Sequence, residues 1–344
     1  MKIAVIGAGA IGALVAGYLK SKGEDVALVG RADAVKAIKK NGLEISGCRG
    51  DLNIKIEAVE KLDFYPDLTI LATKSQDLEM AIRENLKFLS DSIILTTQNG
   101  LQADFLAAKL LPQENIISSI VMFGATYLEP GKIIHNFEGS WIIGRIFQKN
   151  DEKTVEISEV LNQAFPTLVA EGIKGMKYLK VFVNANNCIP AILGLSMQEA
   201  FQDLEISRVA IAIWKEGLSI VNKAGVNLVS LPDFPLERLI KLTAMPTDEA
   251  AKIYSGIMIN LSKVPLYGSI LQSIKRGKLS EIDYINGEFV ALAKNNNLSA
   301  NLNAKLVEMV HSVERNNKFF SKEELIKNVY CVIASERSER SNLY

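Results

Sequence analysis

A glycine pattern close to the N-terminus, Gly7-x-Gly9-x-x-Gly12, constrains the fold more than any other feature of the chain. It follows the β-branched run from Lys2 to Ile6 and opens an amphipathic segment over residues 10–22. In that setting Gly7 allows a tight turn, Gly9 lets a pyrophosphate approach the backbone, and Gly12 permits close packing of helix on strand. The pattern predicts a βαβ unit that binds a dinucleotide; a turn that is simply rich in small residues is the alternative. The residues expected around the pyrophosphate are Gly7, Ala8, Gly9, Ala10, Ile11 and Gly12.

Strand and helix patterns alternate through the first half of the chain. Strands are predicted at 2–6, 25–29, 68–72, 93–97 and 116–122, and helices at 10–22, 76–89 and 102–111. From about residue 176 the apolar spacing is mostly helical, beginning with a helix predicted over 178–193. The sequence therefore predicts an α/β fold: a Rossmann-type, doubly wound sheet domain over residues 1–174 that binds a dinucleotide, followed by an all-α substrate domain over residues 175–344. The last ten residues are expected to form a frayed polar tail.

Charge and hydropathy limit the kind of partner. The 39 basic residues balance 39 acidic ones, without a basic stripe, so nucleic acid is not an expected partner. The apolar run after Lys2 could be misread as a secretory signal, but its glycines weaken a hydrophobic helix. Elsewhere no window approaches the roughly 18 apolar residues of a membrane span. We expect a cytoplasmic protein that binds a small molecule and no membrane, and we leave a homodimer open.

The cysteines indicate neither disulfides nor a metal site. Cys48, Cys188 and Cys331 are far apart and odd in number, and no Cys/His spacing is typical of zinc. No metal is therefore expected from the sequence, and a reducing compartment fits best.

Arg31 bears on the choice of dinucleotide. An NAD-binding protein usually carries an acidic residue at the end of its second strand, to bind the ribose hydroxyls. This chain has Gly30-Arg31 there, and an arginine can pair with a 2′-phosphate, which favours NADP(H) over NAD. The nearby Asp33 weakens this preference, and a solvated surface cation is the alternative interpretation of Arg31.

Two further strand ends carry polar side chains. Lys74 and Asn99 lie just beyond predicted strands, at the edge where open parallel sheets bind their ligands. Lys74 could contact phosphate oxygens, and Asn99 could reach the nicotinamide ribose or the substrate. The alternative for Asn99 is ordinary Asn-Gly turn chemistry with Gly100.

The stretch KYLKVFVNANNC, residues 177–188, contains polar residues within an apolar segment. On one continuous helix, Lys180, Asn184 and Cys188 would share a face, with Asn187 beside them. A partly desolvated lysine could donate the proton that a carbonyl needs after hydride transfer, because burial lowers its pKa toward neutrality. Asn184 could hold substrate oxygens without adding charge. The alternative is that Lys180 extends to solvent.

The segment over residues 267–290 permits a structural interpretation. Ser269 and Ser280 suit helix N-caps, and Glu281 suits the positive end of a helix. Spacing alone does not separate this interpretation from a functional one.

Taken together, these motifs resemble the ketopantoate reductases (2-dehydropantoate 2-reductases) over nearly the whole chain. The shared elements are GAGAIG, Arg31, Lys74, Gln98-Asn99-Gly100, GATYLEPGKIIH, Lys180-x-x-x-Asn184, Ser269-Ile-Leu-Gln and Glu281-Ile-Asp-Tyr-Ile-Asn-Gly. The resemblance implies NADPH as reductant and Lys180 as general acid. It also implies that Asn99, Asn184 and Ser269 contact the keto acid and that Glu281 contacts bound ligands and holds Lys180 in position. Ala125, within GATYLEPGKIIH, is expected at the cofactor.

One departure from the family pattern concerns the substrate. Family members of the best-known type carry another asparagine two turns beyond the lysine, followed directly by proline, whereas this chain has Cys188 and Ile189, with Pro190 displaced by one. We expect Cys188 to line the substrate site and Asn187 to supply the missing contact. The expected activity is NADPH-dependent reduction of ketopantoate to (R)-pantoate, in pantothenate and coenzyme A biosynthesis. The alternatives are a β-hydroxyacid dehydrogenase-type reductase of another small 2-keto acid and a non-catalytic NADPH-binding sensor.

Overall fold

The computed structural model describes residues 1–341 of the chain. It consists of two compact units, one formed by Met1–Lys177 and the other by the residues from Tyr178 onward. The sequence pattern placed the domain boundary at residue 174, a few residues before the division in the structure. In the described part of the chain, no helix combines the length and the apolar composition needed to cross a membrane.

The first unit is built on a sheet of eight strands with helices on both faces. Its strands, including those of a second sheet, are β1 (Lys2–Ile6), β2 (Asp25–Val29), β3 (Leu43–Gly47), β4 (Leu52–Ile54), β5 (Glu57–Val59), β6 (Leu68–Leu71), β7 (Ile93–Thr96), β8 (Ile116–Val121), β9 (Gly124–Glu129), β10 (Lys132–Phe137), β11 (Trp141–Gly144) and β12 (Thr167–Val169). Its helices are α1 (Ala10–Ser21), α2 (Ala32–Asn41), α3 (Leu78–Asn85), α4 (Gln102–Ala107), α5 (Glu152–Asn162) and α6 (Ile173–Ala185), the last of which continues past Lys177.

The large sheet has the strand order β12-β11-β8-β7-β6-β1-β2-β5. Every pair in it is parallel except β11 with β8. Side chains of β1 alternate between two cores: Ile3 and Val5 pack with α1 residues, whereas Ala4 and Ile6 pack with residues of α3 and α4. Both faces are thus covered by helices, which confirms the predicted Rossmann-type α/β fold.

A smaller sheet of four strands, in the order β4-β3-β10-β9, was not predicted as a separate layer. Its strands β3, β9 and β10 have 5, 6 and 6 residues, and among them the sequence predicts a strand-like piece only at residues 132–135, within β10. The helix predicted over 76–89 is also wrong in detail, because α3 is flanked by single 3₁₀ turns at Ser75–Asp77 and Leu86–Phe88.

The second unit is helical, as predicted, and contains one isolated β-bridge between Leu231 and Phe234. Its further helices are α7 (Cys188–Leu193), α8 (Met197–Phe201), α9 (Leu204–Lys223), α10 (Leu236–Ala244), α11 (Thr247–Ile259), α12 (Ser269–Lys275), α13 (Asn286–Asn295), α14 (Asn301–Asn316) and α15 (Lys322–Ser341). The expected frayed tail over 335–344 is wrong as far as residue 341, where the backbone is helical; residues 342–344 lie outside the described part of the chain.

The helix predicted over 178–193 is wrong, because the chain turns between α6 and α7. The Asn187 N–H bonds to the Asn184 carbonyl (2.9 Å) and the Ile189 N–H to the Asn186 carbonyl (3.1 Å), which are the short bonds of a tightened turn. Pro190 has no N–H to continue the helix, and its ring would clash with the carbonyl of Asn186 in a continuous helix. In the first turn of a new helix, by contrast, a proline is tolerated.

Candidate active site

The glycine turn lies between β1 and α1. Gly7 has φ 120°, and a Cβ there would lie 2.6 Å from the backbone of Ala72 and Thr73. A Cβ on Gly12 would overlap the carbonyl oxygen of Gly7, whereas a Cβ on Gly9 would meet nothing within 4 Å. Gly7 and Gly12 are therefore fixed by packing, while open space lies beside Gly9. Gly9 is also the N-cap of α1. Because glycine has no side chain that could cap the helix, the N–H groups at this helix start can receive an anion.

Arg31 follows β2 and begins α2 as its N-cap. Its side chain is 75% exposed and lies 3.5 Å from the carboxylate of Asp77. A Cβ on Gly30 would lie 2.6 Å from the Cβ of Ala8, which shows how closely the Arg31 loop approaches the glycine turn. The guanidinium is accessible to a ligand phosphate, with Asp77 as its competing partner.

Lys74 and Asn99 lie beyond the ends of β6 and β7, and both are half-buried. Because β7, β6, β1 and β2 are adjacent in the sheet, their carboxyl ends meet at one edge. The neighbouring Gln98 joins two of these ends, since its Nε2 donates to the carbonyls of Leu71 (3.0 Å) and Thr73 (2.9 Å). The structure thus brings the predicted Lys74, Asn99, Arg31 and glycine-turn positions to the same edge.

Ala125 lies in β9, where it pairs with His135 of β10. It is half-buried and packs on the same core as Ala8 and Ile11 of the glycine turn. Ala10, the first residue of α1, is also half-buried. The contacts of Ala125 could not be predicted from the sequence, because β9 belongs to the sheet that was not predicted.

Lys180 lies on α6 and is half-buried. Burial lowers the pKa of its amine to about 8, and the carboxylate of Asp233 opposes this shift. An amine with a pKa near 8 can give up its proton at neutral pH far more readily than an ordinary lysine. Burial of a lysine predicts the direction of this shift, whereas no local spacing in the sequence connects Asp233 with Lys180.

The backbone around Lys180 is fixed by packing within the helical unit. The indole N–H of Trp214, on α9, donates to the carbonyl of Phe182 (2.8 Å). The ring of Phe182 packs on that of Phe289, with 4.8 Å between centroids. Asn184 follows Lys180 by one turn on the same face of α6 and is half-buried.

The stripe of Lys180, Asn184 and Cys188 predicted for one helix is wrong, because Cys188 begins α7. Cys188 is fully buried, and burial raises the pKa of its thiol to about 12, a shift partly offset by a hydrogen bond with the Asn286 side chain. Cys188 is therefore a neutral group in the interior of its own unit. Asn187, by contrast, is half-buried, and its side chain would lie 3.3 Å from a Cβ on Gly268, next to Ser269.

Ser269 is the exposed first residue of α12, not its N-cap; Gly268 occupies that position without a side-chain cap. Ser280 is not an N-cap either, because Glu281 holds that position, but its Oγ accepts from the Ile282 N–H (3.3 Å). Glu281 is half-buried and makes no side-chain cap at the following 3₁₀ turn. This local hydrogen bond accounts for Ser280 and leaves Ser269 and Glu281 as candidates for binding.

A buried ion pair was missed altogether. The Lys177 amine lies 2.6 Å from the Asp104 carboxylate and 3.0 Å from the Ser118 hydroxyl, and the Thr96 hydroxyl donates to the same carboxylate. Lys177 and Asp104 are both buried, so either partner alone would be strongly destabilising. This network fixes the beginning of α6 to the sheet unit, three residues before Lys180.

Comparisons with known proteins cover nearly the whole chain. The family model described as "Ketopantoate reductase PanE/ApbA" matches residues 3–148, and the one described as "Ketopantoate reductase PanE/ApbA C terminal" matches residues 172–314. A 2-dehydropantoate 2-reductase of Pyrococcus horikoshii is 35% identical over 318 residues, covering 91% of this chain and 98% of that protein.

Solved structures share the fold. A PanE/ApbA family ketopantoate reductase from Ralstonia eutropha JMP134 matches with a TM-score of 0.77 and 24% identity, over 92% of this chain and 99% of that one. A D-mandelate dehydrogenase in complex with NADH and anilino(oxo)acetate matches with a TM-score of 0.78 and 24% identity, over the same shares of the two chains.

Proposed function

The chain belongs to the ketopantoate reductase PanE/ApbA family, and on that premise we propose that it reduces 2-dehydropantoate (ketopantoate) to (R)-pantoate with NADPH. This reaction serves pantothenate and coenzyme A biosynthesis. The observation that carries the proposal is the half-buried Lys180 on α6, one turn before Asn184. Burial lowers the pKa of its amine to about 8, which suits a proton donor at neutral pH.

The sheet edge of the first unit has the features that a bound NADP(H) needs. Open space beside Gly9 and the uncapped start of α1 suit the pyrophosphate, and the exposed guanidinium of Arg31 suits the 2′-phosphate. Lys74 adds a cation at the same edge, Ala125 gives apolar packing, and Asn99 reaches the nicotinamide ribose or the substrate. When NADPH is bound, its nicotinamide supplies the hydride.

Lys180 acts as the general acid. As the hydride reaches the keto carbon, negative charge develops on the carbonyl oxygen, and the protonated amine stabilises that charge and then transfers its proton there. The product is the 2-hydroxy acid, and the amine regains its proton from water. Glu281 holds Lys180 in position and contacts bound ligands.

The keto acid's oxygens are bound by neutral donors. Asn184 and Asn187 offer amide N–H groups, Ser269 offers a hydroxyl, and none of them adds a charge that competes with Lys180. Asn187 replaces the asparagine that this chain lacks at position 188. Cys188 supports the turn from within the core and does not touch the substrate.

A related reductase of another small 2-keto acid is the second candidate. It is favoured by the altered turn at Cys188 to Pro190, and by the likeness in fold to a D-mandelate dehydrogenase bound to NADH and anilino(oxo)acetate. A non-catalytic NADPH sensor has no use for an amine with a lowered pKa.

Rates of NADPH oxidation with ketopantoate, pyruvate, 2-ketoisovalerate and phenylglyoxylate separate these candidates. We expect ketopantoate to give the highest kcat/KM by at least about tenfold, which corresponds to about 1.4 kcal/mol of differential transition-state binding. A higher value for another acid would favour the second candidate, and tight NADPH binding without any turnover would favour the sensor.

We further propose that the enzyme acts in the cytoplasm as a homodimer. Analytical ultracentrifugation tests the assembly: a species of twice the chain mass supports it, and a single-chain mass at all concentrations contradicts it.

A further inference from the structure

A second cluster of chemically active side chains lies in the smaller sheet of the first unit. Cys48 follows β3 directly, His135 lies in β10, and Glu138 follows β10. The strands β3 and β10 run parallel, with Gly47 opposite His135, and the Cys48 N–H donates to the His135 carbonyl (2.9 Å). Strand register therefore holds together three residues that are widely separated in the sequence.

The potential ligand atoms of these residues converge. The Cys48 Sγ, a ring nitrogen of His135 and a carboxylate oxygen of Glu138 all lie within 4.8 Å of one another. In a tetrahedral zinc site with bonds of about 2.0–2.3 Å, ligand atoms are separated by about 3.3–3.8 Å. The exposed side chains of Cys48 and Glu138 can close the remaining gap by small rotations.

His135 is the fixed member of the cluster. Its ring is fully buried, Nδ1 lies 3.1 Å from the Tyr18 hydroxyl, and Nε2 has no hydrogen-bond partner. A buried polar atom without a partner is uncommon and calls for an explanation. A metal bound at Nε2 would satisfy it, and a proton on Nδ1 donated to Tyr18 would be the outer-shell support that ligating histidines usually have.

Arg49 bears on the charge of the cluster. Its guanidinium donates to both carboxylate oxygens of Glu138 (2.5 and 2.7 Å) and to the Ala164 carbonyl (2.6 Å). It also lies over the Tyr18 ring, 4.6 Å from its centroid. A carboxylate has enough lone pairs to bind a metal and an arginine together. Arg49 thus orients Glu138 but repels a second cation, so the site requires strong ligand bonds.

We propose that Cys48, His135 and Glu138 bind one divalent cation of the zinc class, with the fourth position open to water. A thiolate, an imidazole and a carboxylate form a donor set that suits Zn²⁺ or Co²⁺ and not Mg²⁺ or Ca²⁺. Since Cys48 and Glu138 are exposed, the open position faces solvent. The cation would fasten the end of β3 to the end of β10 and has no part in the reduction.

Cobalt binding tests this proposal directly on the full-length protein after treatment with a chelator. We expect one Co²⁺ per chain, with the near-ultraviolet absorption of a thiolate–cobalt bond, which Zn²⁺ displaces and Mg²⁺ does not. Cys48→Ser should abolish the absorption, whereas Cys331→Ser, which removes the other exposed cysteine, should preserve it. Absence of the thiolate absorption, or its persistence in Cys48→Ser, would overturn the proposal.

A second variant keeps the test independent of the thiol. Glu138→Gln retains an oxygen that can accept from Arg49 but loses the anionic ligand. We expect it to lower the affinity for Zn²⁺ at least tenfold, since even changes to groups behind the ligands have effects of that order. Melting temperatures show whether each variant is folded. Zn²⁺ should raise the melting temperature of the unmodified protein and of Cys331→Ser, and leave that of Cys48→Ser unchanged. Equal zinc affinity in all variants would contradict the assignment.

Discussion

The sheet edge of the first unit and the α6–α7 turn of the second differ in how their candidate residues are placed. At the sheet edge, Arg31, Lys74 and Asn99 each follow a strand, and parallel pairing alone brings them to one side. At the turn, the position of each side chain depends on where one helix stops and the next begins. In this chain the break before Pro190 leaves Cys188 fully buried at the start of α7. The placement of the candidate residues therefore follows from topology at the edge and from packing at the turn.

The largest expected effect concerns the helix before the turn. Lys180→Ala should lower kcat on the order of 100-fold or more, because a positioned general acid is lost, while the affinity for NADPH stays nearly unchanged. Lys174→Ala is the matched control, since Lys174 lies on the same helix but is exposed. Steady-state kinetics of both variants measure the change in kcat. Normal turnover in Lys180→Ala would show that Lys180 is not the general acid.

Substitutions at the sheet edge should change the preference for NADPH over NADH. Arg31→Ala should raise the KM for NADPH several-fold, because an exposed charge-assisted contact to the 2′-phosphate is lost, and change that for NADH less than about twofold. Asp77→Asn removes the competing carboxylate at 3.5 Å and should not raise the KM for NADPH. Equal weakening of both cofactors by Arg31→Ala would show that the guanidinium does not bind the 2′-phosphate.

Neighbouring residues of the turn should behave differently from each other. Asn187→Ala should raise the KM for the keto acid about tenfold, through loss of a hydrogen bond to a charged group. Cys188→Ala should change it less than about twofold and instead lower the melting temperature, because it leaves a small cavity in the core. The contrast is measured with both variants in one kinetic and thermal series. A larger KM effect at Cys188 would restore it as a substrate contact.

Most of the sheet edge was predictable, because each of its residues is placed by a local signal. The glycine spacing, the strand before it and the residue after the second strand all lie within the first 31 positions. The smaller sheet was not predictable, because the pairing of β3 with β10 joins distant parts of the chain. The same pairing brings Cys48 to His135, which no cysteine spacing could indicate.

The site in the helical unit was predictable in part. Lys180 and Asn184 lie one turn apart on α6, as their spacing indicated. The burial of Cys188, the approach of Asn187 to Gly268 and the influence of Asp233 on Lys180 depend on contacts between separate helices and loops. Pro190 was a signal for the break, because a proline is tolerated in the first turn of a helix and disrupts a helix in its interior.

The pH dependence of kcat tests the role of Lys180 most directly. As a general acid, the amine must be protonated, so kcat should be constant below a pH of about 8 and fall about tenfold per pH unit above it. Lys180→Ala should lose this dependence along with most of its activity. A profile that stays level to about pH 10, the ordinary range of a lysine, or one that survives in Lys180→Ala, would contradict the account.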